Sequence, residues 1–386
     1  MSNRRNAFYA LIIFCLISGL VTGRTFFFNL SYALGGIIIG AFVWSWTSVN
    51  WVNIARQTQA RRAQVGRALE ERFLVNNSSL LPKLWLEIRD HSNLPNHNAS
   101  HVVPTLLPRR RYRWEAHTIC SRRGEFTLGP MTVVSGDPFG LFQFPRKIAA
   151  TSHIIVYPPT VPIHRFATPV GTLSGGEAVR QRTHFVTTNA AGVREYQPGD
   201  SFNRIHWRST ARRDRLLVKE FELDPLADVW IFLDLSRASL VERPQARLDS
   251  GQMYAPPPNL PPATDEYAIT AGASLAQYFV DKGRALGFVT YSPYREIVQP
   301  DRGPRQLTRI LELLAVARSE TDISLHQMLT LEANYLGRGT TAILITASQD
   351  ERWAVEAYTM ARRGIRVIGV MVDPLSFGAP HSNLTD

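Results

Sequence analysis

The first fifty residues carry only three charges, Arg4, Arg5 and Arg24. Between Asn6 and Gly23 no residue is charged, and Phe8–Val21 is almost wholly apolar. After Arg24 the chain is uncharged again until Arg56, with dense apolar positions from Phe26 through Val52. A helix needs about 20 apolar residues to cross a bilayer. The pattern therefore predicts two spanning helices, 7–23 and 27–52, forming a transmembrane α-hairpin on a tight turn at Gly23–Thr25. Trp44, Trp46 and Trp51 suit a membrane–water boundary. A signal peptide, with Arg4 and Arg5 as its basic end, is the rival; the second apolar segment that follows at once argues against it.

From residue 64 to 165 the rhythm changes to short runs rich in β-branched and aromatic residues. Phe73–Val75, Leu84–Ile88, Tyr112–Ile119, Phe126–Leu128, Met131–Val134 and His153–Tyr157 are separated by Asn, Ser, Gly and Pro clusters. Such spacing predicts an antiparallel β-sandwich domain. Arg109-Arg110-Arg111 reads as a solvated strand entrance, with an acid-binding or lipid-facing cluster as its rival. Gly136-Asp137-Pro138-Phe139-Gly140-Leu141-Phe142 reads as a structural turn with Asp137 bonding its own loop.

Residues 228–375 alternate buried-strand runs with helical periodicity. Val229–Leu233, Leu286–Thr290, Ala342–Thr346 and Val367–Val372 look like parallel strands buried on both faces. Segments 265–284, 305–318 and 351–363 place apolar residues on one helical face. The expectation is a doubly wound α/β domain, whose working site lies at the carboxyl ends of the strands. That edge carries Asp234-Leu235-Ser236 and Thr346-Ala347-Ser348, with the proline-rich stretch 240–263 beside it.

Composition narrows the class. A hydrophobic content of 45% with 19% charged residues excludes a disordered chain, and two cysteines in 386 residues exclude a disulfide-stapled fold. The formal charge is +11, and lysine occurs only at positions 83, 147, 219 and 282. An arginine skew of that kind also follows from genomic base composition, so the basic charge points only weakly to an anionic partner. Arg4 and Arg5 precede the apolar hairpin and Arg56, Arg61, Arg62 and Arg67 follow it. Basic flanks mark the cytoplasmic side. The expected location is the inner (plasma) membrane, with two spans and both termini in the cytoplasm.

The densest charge lies in the connector, 166–227. Arg194-Glu195-Tyr196-Gln197-Pro198-Gly199-Asp200 leads into Arg204-Ile205-His206-Trp207-Arg208, followed by Arg212, Arg213, Arg215 and Lys219. Pro-Gly-Asp is a turn, with Asp200 placed to cap a short helix. The basic residues read as an ion-paired interdomain clasp or as a protein-docking surface. A phosphate-binding role, toward nucleic acid or lipid headgroups, is the alternative, and nucleic acid is the less favoured of the two.

The string Arg194–Phe221, the turn Gly136–Phe142 and the apolar hairpin together resemble the family known as domain of unknown function 58 (DUF 58). The resemblance covers essentially the whole chain. It implies bacterial or archaeal membrane proteins related to the von Willebrand factor A fold, non-enzymatic, working beside MoxR-type AAA+ ATPases in assembling or activating protein complexes. A-domains often bind Mg²⁺ through Asp-x-Ser-x-Ser. Asp234 and Ser236 match that pattern, Ala238 replaces the second serine, and Ser239 is one residue off register. The strand Ala342–Thr346 is followed by Ala347 where an aspartate is usual. The site is degenerate, and no bound cofactor is expected.

No phosphate loop, zinc-protease pair or serine-hydrolase elbow is present in the sequence. Gly171–Gly176 lacks a following lysine-bearing helix. The reading is a membrane-anchored cytosolic scaffold that binds a protein partner, and not an enzyme.

Overall fold

The computed structural model describes residues 2–166, 190–197, 205–221, 228–242 and 260–379. Two apolar helices come first, α1 (Ser2–Thr22) and α2 (Thr25–Val49), packed as a hairpin. Gly23 closes α1 at φ 68°, a left-handed conformation cheap only for glycine, and its N–H bonds Gly19 O at 2.9 Å. Both helices are long and apolar enough to cross a membrane. The second ends three residues before Val52, which starts a strand; apolar density that runs across the junction hid the change of period in the sequence.

Ten strands follow: β1 (Val52–Thr58), β2 (Arg62–Gln64), β3 (Ala68–Asn77), β4 (Lys83–Asp90), β5 (His101–Leu106), β6 (Arg111–Ile119), β7 (Gly124–Leu128), β8 (Met131–Gly136), β9 (Gln143–Ile148) and β10 (Ser152–Tyr157). They form sheets ordered β1-β3-β6, β5-β4-β8-β9 and β2-β10-β7. The first two bury Phe73, Val75, Leu86, Ile88, Met131 and Val133 between them, the packing of a sandwich. The sheet-rich region thus begins at residue 52, ahead of the expected 64, and is not purely antiparallel, because β2 runs parallel to β10.

Within this region lies a buried charge cluster. Arg56 donates to Glu71 at 2.8 Å, while His97 Nε2 sits 3.2 Å from Glu71 and 3.0 Å from Asp90. Burial alone would push the Asp90 carboxyl up, but hydrogen bonds from His97 and Ser92 and the Arg56 charge outweigh it and hold its pKa at about 2.

A hairpin of β11 (Ala190–Glu195) and β12 (Leu217–Phe221) encloses the short helix α3 (Trp207–Arg213). Beyond it, β13 (Val229–Leu233), β14 (Leu286–Tyr291), β15 (Arg295–Asp301), β16 (Thr341–Thr346) and β17 (Arg366–Met371) make one sheet ordered β15-β14-β13-β16-β17. All neighbours are parallel except β14 and β15. Helices α4 (Thr264–Asp281) and α5 (Pro304–Val316) cover one face, and α6 (Leu325–Glu332) and α7 (Arg352–Arg362) the other. Gly287 is required by packing, since a Cβ there would fall 2.6 Å from the Trp230 indole.

The sandwich meets the α/β region through Arg123. Its guanidinium donates to Leu314 O at 3.1 Å and Ala317 O at 2.7 Å at the end of α5, and pairs with Glu266. Arg62 adds an exposed pair to Glu312 at 2.7 Å.

Candidate functional site

The strand-end edge gathers most of the buried polar groups of the α/β region. β13 is nearly all apolar and buried, so its register is fixed from both faces and it delivers Asp234 to one place at its carboxyl end. The Asp234 N–H extends the ladder to Ile345 O at 2.9 Å. Its carboxylate accepts from the Ser236 N–H at 3.0 Å and from the Thr346 hydroxyl at 2.6 Å. Asp234 is only 2% exposed, and burial pushes its carboxyl above the ordinary range against the pull of those hydrogen bonds.

A single 3-10 turn, Arg237–Ser239, then folds the chain back. It sets the Ser236 and Ser239 hydroxyls 3.3 Å apart, and Ser239 also donates to Ser236 O at 2.8 Å. Ser239, off register in the linear motif, is thereby brought to the site, while Ala238 offers no side-chain oxygen. Thr321 joins from the α5–α6 connection: it forms a parallel bridge with Ser236 and accepts from the Arg237 N–H at 2.9 Å. Linear spacing gave no sign of Thr321, because only the path of α5 across the sheet brings it there. Thr346 also accepts from the Ser348 N–H at 2.8 Å. Among the described residues, the Asp234 carboxylate and the hydroxyls of Ser236, Ser239 and Thr346 gather at the edge, chemistry suited to hydrogen bonding. Among the described residues no group of three or more His, Cys, Asp or Glu side chains is placed to hold a metal ion.

The arginine-rich segment forms a second, separate feature. Arg194 and Lys219 lie on the antiparallel strands β11 and β12, where Arg194 pairs with Val218 and Val193 with Lys219. Tyr196 follows β11, and its N–H bonds Leu216 O at 2.9 Å. His206 caps α3, its Nδ1 accepting from the Ser209 N–H at 3.2 Å. Asp200, expected to cap this helix, lies outside the described residues, as do Gly199 and Arg204. Trp207 is 66% exposed, and Arg208 and Arg212 are exposed beside it. Arg215 pairs with Glu195 at 2.8 Å, a contact internal to the segment.

The geometry defines a class: two N-terminal apolar helices, a β-sandwich, and an α/β region with a polar strand-end edge. Residues 192–376 match the model of the family described as "Protein of unknown function DUF58". Among curated proteins the chain is similar to "Uncharacterized protein YeaD" of Bacillus subtilis (strain 168), 24% identical over 204 residues. That alignment covers 51% of this chain and 44% of YeaD, so less than half of the relative is spanned. Among solved structures, the CARDB domain of the PF1109 protein from Pyrococcus furiosus matches at 12% identity and TM-score 0.22, over 27% of this chain and 91% of that one. The alkylpurine DNA glycosylase AlkC of Pseudomonas fluorescens matches at 9% identity and TM-score 0.20, over 36% and 42%. At such scores neither likeness carries an argument.

Proposed function

We propose that the chain is a membrane-anchored, cytosol-facing scaffold with a von Willebrand A-like α/β domain, capturing a protein partner at its strand-end edge. The observation that carries this reading is Asp234, a carboxylate held 2% exposed at the carboxyl end of the central parallel strand, where open α/β sheets place their ligands. Burial of that carboxyl raises its pKa even though it accepts hydrogen bonds from Ser236 and Thr346. The family resemblance makes a MoxR-type AAA+ ATPase the first partner to test. On this reading the hairpin anchors the chain in the plasma membrane with both termini in the cytoplasm, an orientation that the basic flanks support.

We read the role as binding, not catalysis: among the described residues the hydroxyl that meets the Asp234 carboxylate, Thr346, is buried in the sheet end. A resident Mg²⁺ fits poorly. The site supplies one carboxylate, both of whose oxygens already accept hydrogen bonds from the protein. A second reading draws on the exposed Arg208 and Arg212, which suit anionic phosphates of nucleic acid or lipid headgroups. Binding of that kind must weaken steeply with salt, and a flat salt titration eliminates it.

The test is affinity capture with detergent-solubilised full-length protein, wild type against Asp234→Ala, with and without Mg²⁺. The proposal expects a AAA+ ATPase with the wild type and its loss with the variant at both Mg²⁺ levels. Equal capture by both proteins overturns the site. Loss confined to the Mg²⁺-containing arm restores a metal role.

A further inference from the structure

We propose that the end of the β-sandwich from which the helices emerge is itself a docking face for an anionic bilayer surface. In it, Leu80, Leu107 and Phe139 enter the headgroup layer while Arg109, Arg110 and Arg111 bind lipid phosphates. The inference rests on the reading of α1 and α2 as membrane spans and deepens it.

Topology puts the relevant turns at one end. β1 begins, β3 ends, β4 begins, β5 ends and β6 begins there, as the pairings Val52 with Asn77, Asn76 with Arg111 and Lys83 with Leu106 require. The Asn77 side chain ties two of the turns together, donating to Leu81 O at 2.9 Å and Leu107 O at 3.2 Å. The same end grips the helices. Ser78 Oγ bonds Trp51 O at 2.7 Å, and Lys83 Nζ bonds Thr47 O. The third turn, 137–142, is held by Asp137 through the N–H groups of Phe139, Leu141 and Phe142. It abuts both helices: Phe142 lies 5.5 Å from the Phe42 ring and receives Arg5 over its face at 5.8 Å.

Helix length supplies the depth. The 25 residues of α2 rise about 37 Å at about 1.5 Å each, against a hydrocarbon core of about 30 Å. The last turns of α2 therefore stand in the headgroup layer, and the turns bonded to Thr47 and Trp51 stand there with them. Trp46 and Trp51, edge to face at 5.8 Å, are both half exposed, as boundary tryptophans are.

The side chains at this end fit that environment. Leu80 is 73% exposed, and Leu107 and Phe139 are more than half exposed, an apolar set with no protein neighbour to account for it. Arg109, Arg110 and Arg111 are exposed, and among the described residues no carboxylate pairs with them. Segments 78–86 and 101–114 hold no acidic residue, and in 137–148 the sole acid, Asp137, is spent on its own turn. An arginine at an anionic surface contributes about fivefold to the docked population.

The experiment uses full-length protein carrying an environment-sensitive fluorophore on Leu80→Cys, Leu107→Cys, Asn98→Cys or Ile39→Cys; the native Cys15 and Cys120 are buried. Asn98 reports on the opposite sandwich end and Ile39 on the span. Each variant is reconstituted into phosphatidylcholine vesicles with or without phosphatidylglycerol, plus a lipid-borne quencher near the headgroup for positions 80, 107 and 98 and one on the acyl chain for position 39. The expected result in phosphatidylglycerol vesicles is quenching at 80 and 107 at least twice that at 98. Arg109→Glu with Arg110→Glu and Arg111→Glu, or omission of the anionic lipid, should return position 80 toward the level of 98 and leave 39 unchanged. Equal quenching at 80, 107 and 98 while 39 is quenched overturns the docking face and leaves the spans standing. Absence of quenching at 39 overturns both. Quenching at 80 that ignores the arginines and the lipid charge overturns the phosphate contact.

Discussion

Thr346 donates its hydroxyl proton to Asp234 across 2.6 Å, joining the ends of β13 and β16 inside the protein. The bond orients the carboxylate but does not repay its burial, since the Asp234 pKa remains raised by desolvation. A carboxyl whose folded pKa lies above its unfolded value stabilises fully below the unfolded pKa, and that contribution is lost as pH rises through the folded pKa. The wild type therefore loses stability, relative to acid pH, as pH rises through that raised pKa.

Asp234→Asn should consequently stabilise the α/β region at pH 7, by a gain of order 1 kcal/mol, while abolishing partner capture. Thermal denaturation of both proteins from pH 4 to 8 checks it: the advantage of the variant must grow with pH. A variant less stable than wild type throughout would assign Asp234 a structural role.

The buried cluster of the sandwich has the opposite sign. Asp90, at about 2, is depressed below the ordinary carboxyl value of 3.8, so its contribution is present above pH 4 and lost as pH falls through 2. Linkage puts that contribution at about 2 kcal/mol. Asp90→Asn should flatten the acid limb between pH 4 and 2. Trp114, stacked at 4.7 Å on Phe73, the ring that also carries Arg56, gives the fluorescence readout.

How much of this was legible in the sequence depends on burial. β13, β14 and β16 stood out because strands covered on both faces read as continuous apolar runs, whereas β17, expected to be buried on both faces, is an edge strand of exposed and half-buried residues that its Val and Ile content alone made visible. β15 escaped because its residues alternate between exposed and half-buried at a sheet edge. α6 has eight residues, too few for periodicity to speak, although Ser324 and Gln327 form a capping box that marks its start. At the strand-end edge, spacing pointed to Asp234 and Ser236 and named Ser239 only as one residue off register. That Ser239 reaches Ser236, and that Thr321 joins them, was not legible, because a 3-10 turn and a crossover bring them in and neither leaves a linear motif. The expected clasp along Arg194–Lys219 had charge as its only signal, and charge density does not distinguish a buried junction from an exposed helix face.

Arg123 shows where a junction is. Its side chain is 8% exposed, caps the end of α5 and pairs with Glu266, whose own carboxyl is pushed up by burial against the Arg123 charge. Arg123→Leu leaves Glu266 and two helix-end carbonyls without their partner, a loss of roughly 3 kcal/mol. Calorimetry should then resolve separate transitions for the sandwich and the α/β region, where the wild type melts with the two coupled.

Trp207 poses the converse case. It opens α3 beside the His206 cap with two thirds of its surface in solvent, so removing it vacates no core. Surface substitutions of this kind change stability by less than about 0.5 kcal/mol. A tryptophan at the centre of a protein interface is commonly worth 2 kcal/mol or more, about thirtyfold in affinity. Trp207→Ala should therefore melt with the wild type yet lose about thirtyfold in partner affinity, measured by titration of the captured partner in detergent. Arg208→Glu with Arg212→Glu should do the same if α3 is a docking surface, because both guanidinium groups are exposed on the same short helix. A fall in melting temperature without a fall in affinity would return the segment to the role of interdomain clasp.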